Sequence, residues 1–97
     1  MLEKDIEKNL CQIIDKLGGL CIKISSPGNN GMPDRLCILP HGQAVWVELK
    51  RPQDGRLSAV QRYQHKRLKQ LNQEVVCVWS LTDLKTLAAG LRADVDG

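Results

Sequence analysis

Two carboxylates and a lysine stand at the boundaries of two neighbouring apolar segments of the sequence. Asp34 precedes the second such segment, and Glu48 and Lys50 stand at the end of the third. Because residues i and i+2 of a strand share a face, Glu48 and Lys50 are expected to point the same way, with Leu49 facing the core. Carboxylate oxygens hold Mg²⁺, and a nearby lysine can stabilise charge that develops on phosphorus. These side chains favour phosphate chemistry at one end of a sheet.

Each of these residues also has an ordinary explanation. Asp34 follows a proline and could be a turn or cap residue, and Glu48 with Lys50 could be a solvated strand end. Gln61 completes a Ser-x-x-Gln capping box, and Glu7 could simply lie on the solvent face of a helix. The combination in this order, with a sheet to position it, is less readily explained by chance than any single residue.

The elements that must position these groups follow from hydrophobic spacing and turn residues. Apolar residues at helical spacing predict a first helix, and a turn-rich loop at 25–34 precedes the second strand. A three-residue turn at 40–42 makes the second and third strands an antiparallel hairpin. The predicted order is helix 2–17, strands 20–24, 36–39 and 44–49, helix 58–72, strand 75–79, and a last helix from 80 or 82 to 91. We expect an α/β (α+β) fold in the order α-β-β-β-α-β-α, with a mixed sheet flanked by helices.

Length and composition limit the classes of protein that are possible. The 97 residues suffice for one small domain, 1–97, with a frayed tail at 92–97. Three aromatic residues and no Phe argue against a base-stacking platform. The apolar runs are too short to span a membrane, and the charged N-terminus does not resemble a signal peptide. We expect an intracellular protein of a bacterial or host cytoplasm that is not secreted. Four cysteines without a C-x-x-C pair argue against a zinc site or disulfide framework.

The basic residues are clustered in one part of the chain. The net charge is only +3, but seven of the fourteen Lys and Arg residues fall within 50–69, where the one acidic residue is Asp54. Such clustering is typical of a surface that contacts phosphates. A solvated helix surface would produce the same pattern, and charge alone does not separate the two interpretations.

Three ordered motifs resemble the VRR-NUC family of the PD-(D/E)xK nuclease superfamily. They are GMPDR at 31–35, VELK at 47–50 and LSAVQ at 57–61, and the likeness extends over 3–80. The resemblance implies a restriction-endonuclease-like core and a nuclease that depends on Mg²⁺ or Mn²⁺. It implies that Asp34 and Glu48 are metal ligands, helped by the main-chain carbonyl of Leu49. Lys50 would activate or orient the attacking water. Gln61, in the position that the family fills with glutamine, would be a catalytic residue that reaches the site from the first turn of the second helix.

The glutamate of the family's first helix has two candidates in this sequence. Glu3 and Glu7 lie four residues apart on one helical face. Glu7 is preferred as the catalytic residue and a further metal ligand, because it lies deeper in the domain and Glu3 is closer to a fraying end.

The expected partner is branched or duplex DNA, bound through its phosphate backbone without base reading. Minimal members of the family look like viral or bacterial proteins that act as symmetric homodimers on four-way junctions. The resemblance therefore implies a homodimeric Holliday-junction resolvase in DNA recombination and repair. The alternatives are a flap or nicking endonuclease and a DNA-binding module without catalysis; a structural domain would require every carboxylate to be incidental. The predicted DNA contacts are Lys23, Arg35, Arg51, Arg56, Arg62, Lys66 and Lys69.

Overall fold

Three helices and a four-stranded sheet make up the fold of a computed structural model that describes residues 2–25 and 27–96. The sheet order is β1-β2-β3-β4; β1, β2 and β3 are antiparallel, and β4 joins β3 in parallel. This mixed sheet with flanking helices confirms the predicted fold class. The elements are α1 (Glu3–Lys16), β1 (Leu20–Lys23), β2 (Arg35–Ile38), a 3₁₀ turn (Pro40–Gly42), β3 (Ala44–Leu49), α2 (Ala59–Gln70), β4 (Glu74–Val78) and α3 (Leu81–Asp96).

Helices α1 and α3 cover one face of the sheet and form the core with it. Ile6, Leu10 and Ile14 recur every four residues on α1 and are fully buried, so this helix presents one continuous apolar stripe. Every second residue of β3 faces the same way, including Val47 and Leu49. The expected inward orientation of Leu49 is therefore correct.

Helix α2 lies against the opposite face, where it packs on β4. It also forms the crossover that a parallel β3–β4 pair requires, because parallel strands cannot be joined by a tight turn. The residues of β3 that point to this side, among them Glu48, lie under α2 rather than under the apolar helices. The two faces of the sheet therefore have different chemistry, one apolar and one polar.

The predicted frayed tail at 92–97 is wrong for residues 92–96, because α3 continues to Asp96. Val95 packs against the core, and the side chain of Gln43 donates a 2.9 Å hydrogen bond to Asp94. These contacts hold the last helical turn against the sheet. Residue Gly97 lies outside the described residues. None of the helices described is long and apolar enough to cross a membrane.

Candidate active site

Asp34 lies at the start of β2, where its carboxylate contacts the end of β3. Its Oδ2 atom accepts the main-chain N–H of Leu49 at 2.8 Å. The last residue pair between β2 and β3 is Arg35–Val47, so Leu49 extends beyond the paired part of β2. The N–H and C=O of one strand residue point to the same side. The carbonyl of Leu49 therefore faces the side occupied by Asp34.

Glu48 is a buried carboxylic acid next to Asp34. Its side chain is 1% exposed. Burial, together with a hydrogen bond to the adjacent Asp34 and the charge of Asp34, raises the pKa of Glu48 to about 9, while the charge of Lys50 opposes the shift. Two adjacent carboxyl groups, one of them buried, favour a shared proton or a bound cation.

The donor set of this region fits a hard divalent cation. The carboxylates of Asp34 and Glu48 and the carbonyl of Leu49 are all oxygen donors, which Mg²⁺ and Mn²⁺ prefer over nitrogen or sulfur. Within residues 2–25 and 27–96, no group of three or more His, Cys, Asp and Glu side chains is arranged to hold a metal ion. Two carboxylates and a carbonyl would leave further coordination positions to water and substrate oxygens, as is usual for Mg²⁺.

Lys50 is held on the same side of the sheet as Glu48 by the first turn of α2. Its Nζ donates to Oε1 of Gln61 at 2.9 Å. The same oxygen accepts the main-chain N–H of Ser58 at 2.9 Å, and Ser58 Oγ accepts the N–H of Gln61 at 3.1 Å. The predicted capping box is therefore present, and its glutamine also positions the lysine. One side chain thus takes part in the cap and also contacts Lys50.

The loop before Asp34 is docked onto the start of α2. Gly31 has a φ of +87°, and a Cβ at this position would lie 2.7 Å from the carbonyl carbon of Val60. A side chain is excluded here by both backbone conformation and space. Gln64 of α2 donates to the carbonyl of Asn30 at 3.0 Å. These contacts fix the loop that leads to Asp34 against the first turns of α2, which carry Gln61.

Glu7 is not brought to this site, in contrast to the prediction. Its Oε2 accepts from Nε of Arg35 at 2.8 Å, and Arg35 also donates to the carbonyl of Cys21. Arg35 lies on the face of β2 that packs under α1, so it pairs with the acid about one turn into that helix. Glu3, in contrast, adds its charge to the groups that raise the pKa of Glu48. Among the described acidic residues of α1, Glu3 is the one whose charge raises the pKa of Glu48.

Four of the seven predicted phosphate contacts lie together, and three lie elsewhere. Arg62, Lys66 and Lys69 share one face of α2 and line a hollow of about 550 Å³, and Arg56 lines an adjoining hollow of about 370 Å³ that also contains Arg62. We call these four residues the basic groove. Lys23 and Arg51 lie outside it.

The other three predicted contacts differ in how accessible their side chains are to a DNA phosphate. Arg35 is not free to contact a phosphate in this structure, because its guanidinium is mostly buried against Glu7. Arg51 is exposed and pairs with Asp54 at 3.1 Å, an interaction that a phosphate could replace at little cost. Lys23 is exposed at the end of β1, one residue before Ile24, whose N–H donates to the carbonyl of Asp34.

The sequence analysis assigned no role to His65. Its side chain is buried on α2, and Nε2 lies 3.1 Å from Oε1 of Glu48. Burial lowers the pKa of His65, and the charges of Lys69 and Lys50 lower it further. The available signal was its position four residues after Gln61, which places both side chains on one helical face.

Comparisons with known proteins agree with this geometry. No family model matches the chain. A protein of Acyrthosiphon pisum secondary endosymbiont phage 1 named "Putative nuclease p44" is 40% identical over 74 residues, which cover 76% of this chain and 78% of that protein. A solved structure of a VRR-NUC domain is similar with a TM-score of 0.83 and 32% identity, covering 88% of this chain and 91% of the other. The fold is therefore restriction-endonuclease-like, and the chain belongs to the VRR-NUC family.

Proposed function

We propose that the protein is a metal-dependent nuclease that hydrolyses phosphodiester bonds of DNA. The observation that carries this proposal is the adjacent pair of Asp34 and Glu48 at one end of the sheet, with Lys50 on the same side. A buried carboxyl group such as that of Glu48, placed beside a second carboxylate, costs folding free energy unless a cation or a proton compensates it. The similarity to a phage protein named as a nuclease supports the same conclusion.

Asp34, Glu48 and the carbonyl of Leu49 would hold Mg²⁺ or Mn²⁺. When bound, such an ion polarises a phosphate oxygen and lowers the pKa of a coordinated water. Glu3, whose charge acts on Glu48 from α1, would serve as the acid of the first helix, instead of the Glu7 that was preferred from helical position. The ionised carboxylates would draw the cation to the end of the sheet and fix its position there.

Lys50 supplies the positive charge next to these carboxylates. Gln61 holds its ammonium by a 2.9 Å hydrogen bond, so little side-chain freedom has to be lost when substrate binds. From this position the ammonium would orient the attacking water and stabilise negative charge that develops on the phosphate. Substitution of Lys50 should therefore lower kcat more than it changes DNA affinity.

The basic groove would bind the phosphate backbone. Its four side chains follow one face of α2 and the loop before it, and a positive surface of this kind binds DNA without reading bases. His65 lines the same hollow and contacts Glu48, so the groove adjoins the carboxylate pair. Lys23 and Arg51 would extend the contact at the edges of the site.

A symmetric homodimer that resolves Holliday junctions is the specific form of this proposal. In the described residues β1 pairs only with β2, and its outer edge is open. Leu20 is 63% and Ile22 39% exposed on this strand, which is an apolar surface that a second copy could cover. Two sites related by a two-fold axis would cut two strands of a four-way junction symmetrically.

The test is a panel of labelled DNAs incubated with Mg²⁺ at equal concentration: a Holliday junction, a 5′ flap, a nicked duplex and a linear duplex. We expect cleavage of the junction by the wild type, no cleavage in EDTA, and no cleavage by Asp34→Ala. Preferential cutting of the flap or nick would favour the alternative endonuclease. Equal activity of Asp34→Ala and wild type would reject the proposed site, and DNA binding without cleavage of any substrate would favour a non-catalytic module.

A further inference from the structure

Glu48 and His65 form a buried polar pair beneath α2. Their side chains are 1% and 6% exposed, and Oε1 of Glu48 lies 3.1 Å from Nε2 of His65. Burying two polar groups costs free energy that an apolar pair of the same volume would not. One oxygen of the Glu48 carboxyl group is thus engaged by the imidazole.

The orientation of the imidazole is restrained as well. Its Nδ1 atom lies 3.9 Å from Sγ of Cys77 on β4. A thiol donates a weak hydrogen bond, so this contact favours the tautomer in which Nδ1 accepts and Nε2 carries the hydrogen. Nε2–H is then the donor to Glu48. The helix that carries His65 is itself fixed, because Gln61 and Gln64 contact Lys50 and Asn30.

We propose that His65 is a positioning residue that holds Glu48 through its Nε2–H group in the orientation needed for cation binding. This inference rests on the proposed metal-dependent nuclease function. Groups that hydrogen-bond to metal ligands set ligand orientation, and their loss commonly weakens metal binding 10- to 100-fold. His65 does not touch the substrate or the ion in this proposal; it acts through Glu48.

Two amide substitutions separate the hydrogen bond from simple packing. The amide nitrogen of His65→Gln can occupy the place of Nε2, whereas the shorter side chain of His65→Asn places its amide near the position of Nδ1, out of reach of Glu48. Both variants are polar and smaller than or similar to histidine. Far-UV circular dichroism and thermal unfolding in EDTA establish that each is folded, and Asp34→Asn serves as the control that removes a metal ligand.

The measurement is Mn²⁺ affinity by isothermal titration calorimetry, without DNA. We expect His65→Asn to weaken binding about tenfold or more and His65→Gln to stay within about threefold of wild type, with kcat following the same order and the KM for DNA little changed. If folded His65→Asn binds Mn²⁺ as the wild type does, or if His65→Gln loses as much as His65→Asn, the positioning role is wrong. If wild type and Asp34→Asn bind Mn²⁺ equally, the proposed metal centre itself is wrong.

Discussion

The Nζ atom of Lys50 lies 2.9 Å from Oε1 of Gln61, and the same oxygen caps α2 by accepting the N–H of Ser58. A single side chain thus ties the start of a helix to the charged group at the end of β3. Capping fixes the rotamer of the glutamine, and the fixed glutamine in turn restrains the lysine. Local helix stability and the geometry of the site depend on the same hydrogen-bond acceptor.

Substituting Gln61 by Ala should reduce both stability and activity. Loss of the cap is expected to cost about 1 kcal/mol of unfolding free energy, and release of Lys50 should lower kcat at least about tenfold. Ser58→Ala is the matched control, because it removes the hydroxyl that accepts the N–H of Gln61 but leaves the glutamine oxygen in place. Urea denaturation and single-turnover cleavage measure the two effects. If both variants lose activity equally, the contact to Lys50 has no separate role.

Stability of the metal-free protein should fall as pH rises, because of Glu48. Its pKa is about 9 in the folded protein against 4.5 for an ordinary glutamate. The folded state therefore binds the proton more tightly. The stability that this proton contributes is fully present below pH 4.5 and is lost progressively up to about pH 9. By pH 7 the loss amounts to about 3 kcal/mol of unfolding free energy. Glu48→Gln should remove this slope, raising the Tm in EDTA at pH 8 far more than at pH 5. A Tm difference that does not vary with pH would contradict the buried-acid assignment.

Cation binding should release a proton over the same pH range. A ligand that is protonated in the metal-free protein must lose that proton when the ion binds, so apparent affinity should rise about tenfold per pH unit between pH 6 and 8. Calorimetric titration with Mn²⁺ in two buffers of different ionisation enthalpy measures the number of protons released on binding. We expect about one proton at pH 7. Binding that releases no proton would show that Glu48 is not the ligand.

Neutralising the basic groove should weaken DNA binding without impairing chemistry. Arg62→Ala or Lys66→Ala should each reduce the slope of log K against log salt by about 0.9 if that residue contacts a phosphate, with kcat at saturating DNA nearly unchanged. Lys85→Ala is a suitable control, since Lys85 is exposed on α3, which covers the other face of the sheet. Fluorescence anisotropy at several salt concentrations checks the slopes. An equal loss of affinity in the control would mean that the binding surface is not localised to the groove.

Charging the open edge of the sheet should dissociate the proposed homodimer. Leu20→Glu places a carboxylate on β1 at a side chain that is 63% exposed, so the fold of one copy should tolerate it. Leu71→Glu, at a leucine 67% exposed beyond the end of α2, is the matched control and should leave the dimer intact. Sedimentation at micromolar protein distinguishes the two states. A wild type that sediments as a monomer would remove the dimer from the proposal.

Hydrophobic spacing and turn residues were sufficient for the element order and for the convergence of Asp34 with the end of β3. These depend on short-range rules: helical and strand periodicity, the capping box at Ser58 and the tight turn that makes a hairpin. The predicted and observed element bounds differ by one or two residues, except at the end of α3, where packing of Val95 and the contact from Gln43 extend the helix. Propensity does not include such long-range contacts.

The partners of Glu7, Arg35 and His65 were decided only by the tertiary structure. Periodicity placed Glu3 and Glu7 on one helical face, but the face of β2 under α1 carries Arg35, and this ion pair withdraws Glu7 from the site. His65 became a partner of Glu48 because α2 crosses back over the polar face of the sheet to connect β3 with β4. Sequence spacing determines which side chains of one element share a face. Packing between segments that are distant in the chain determines which element covers that face. It therefore also determines which charged side chains pair with each other.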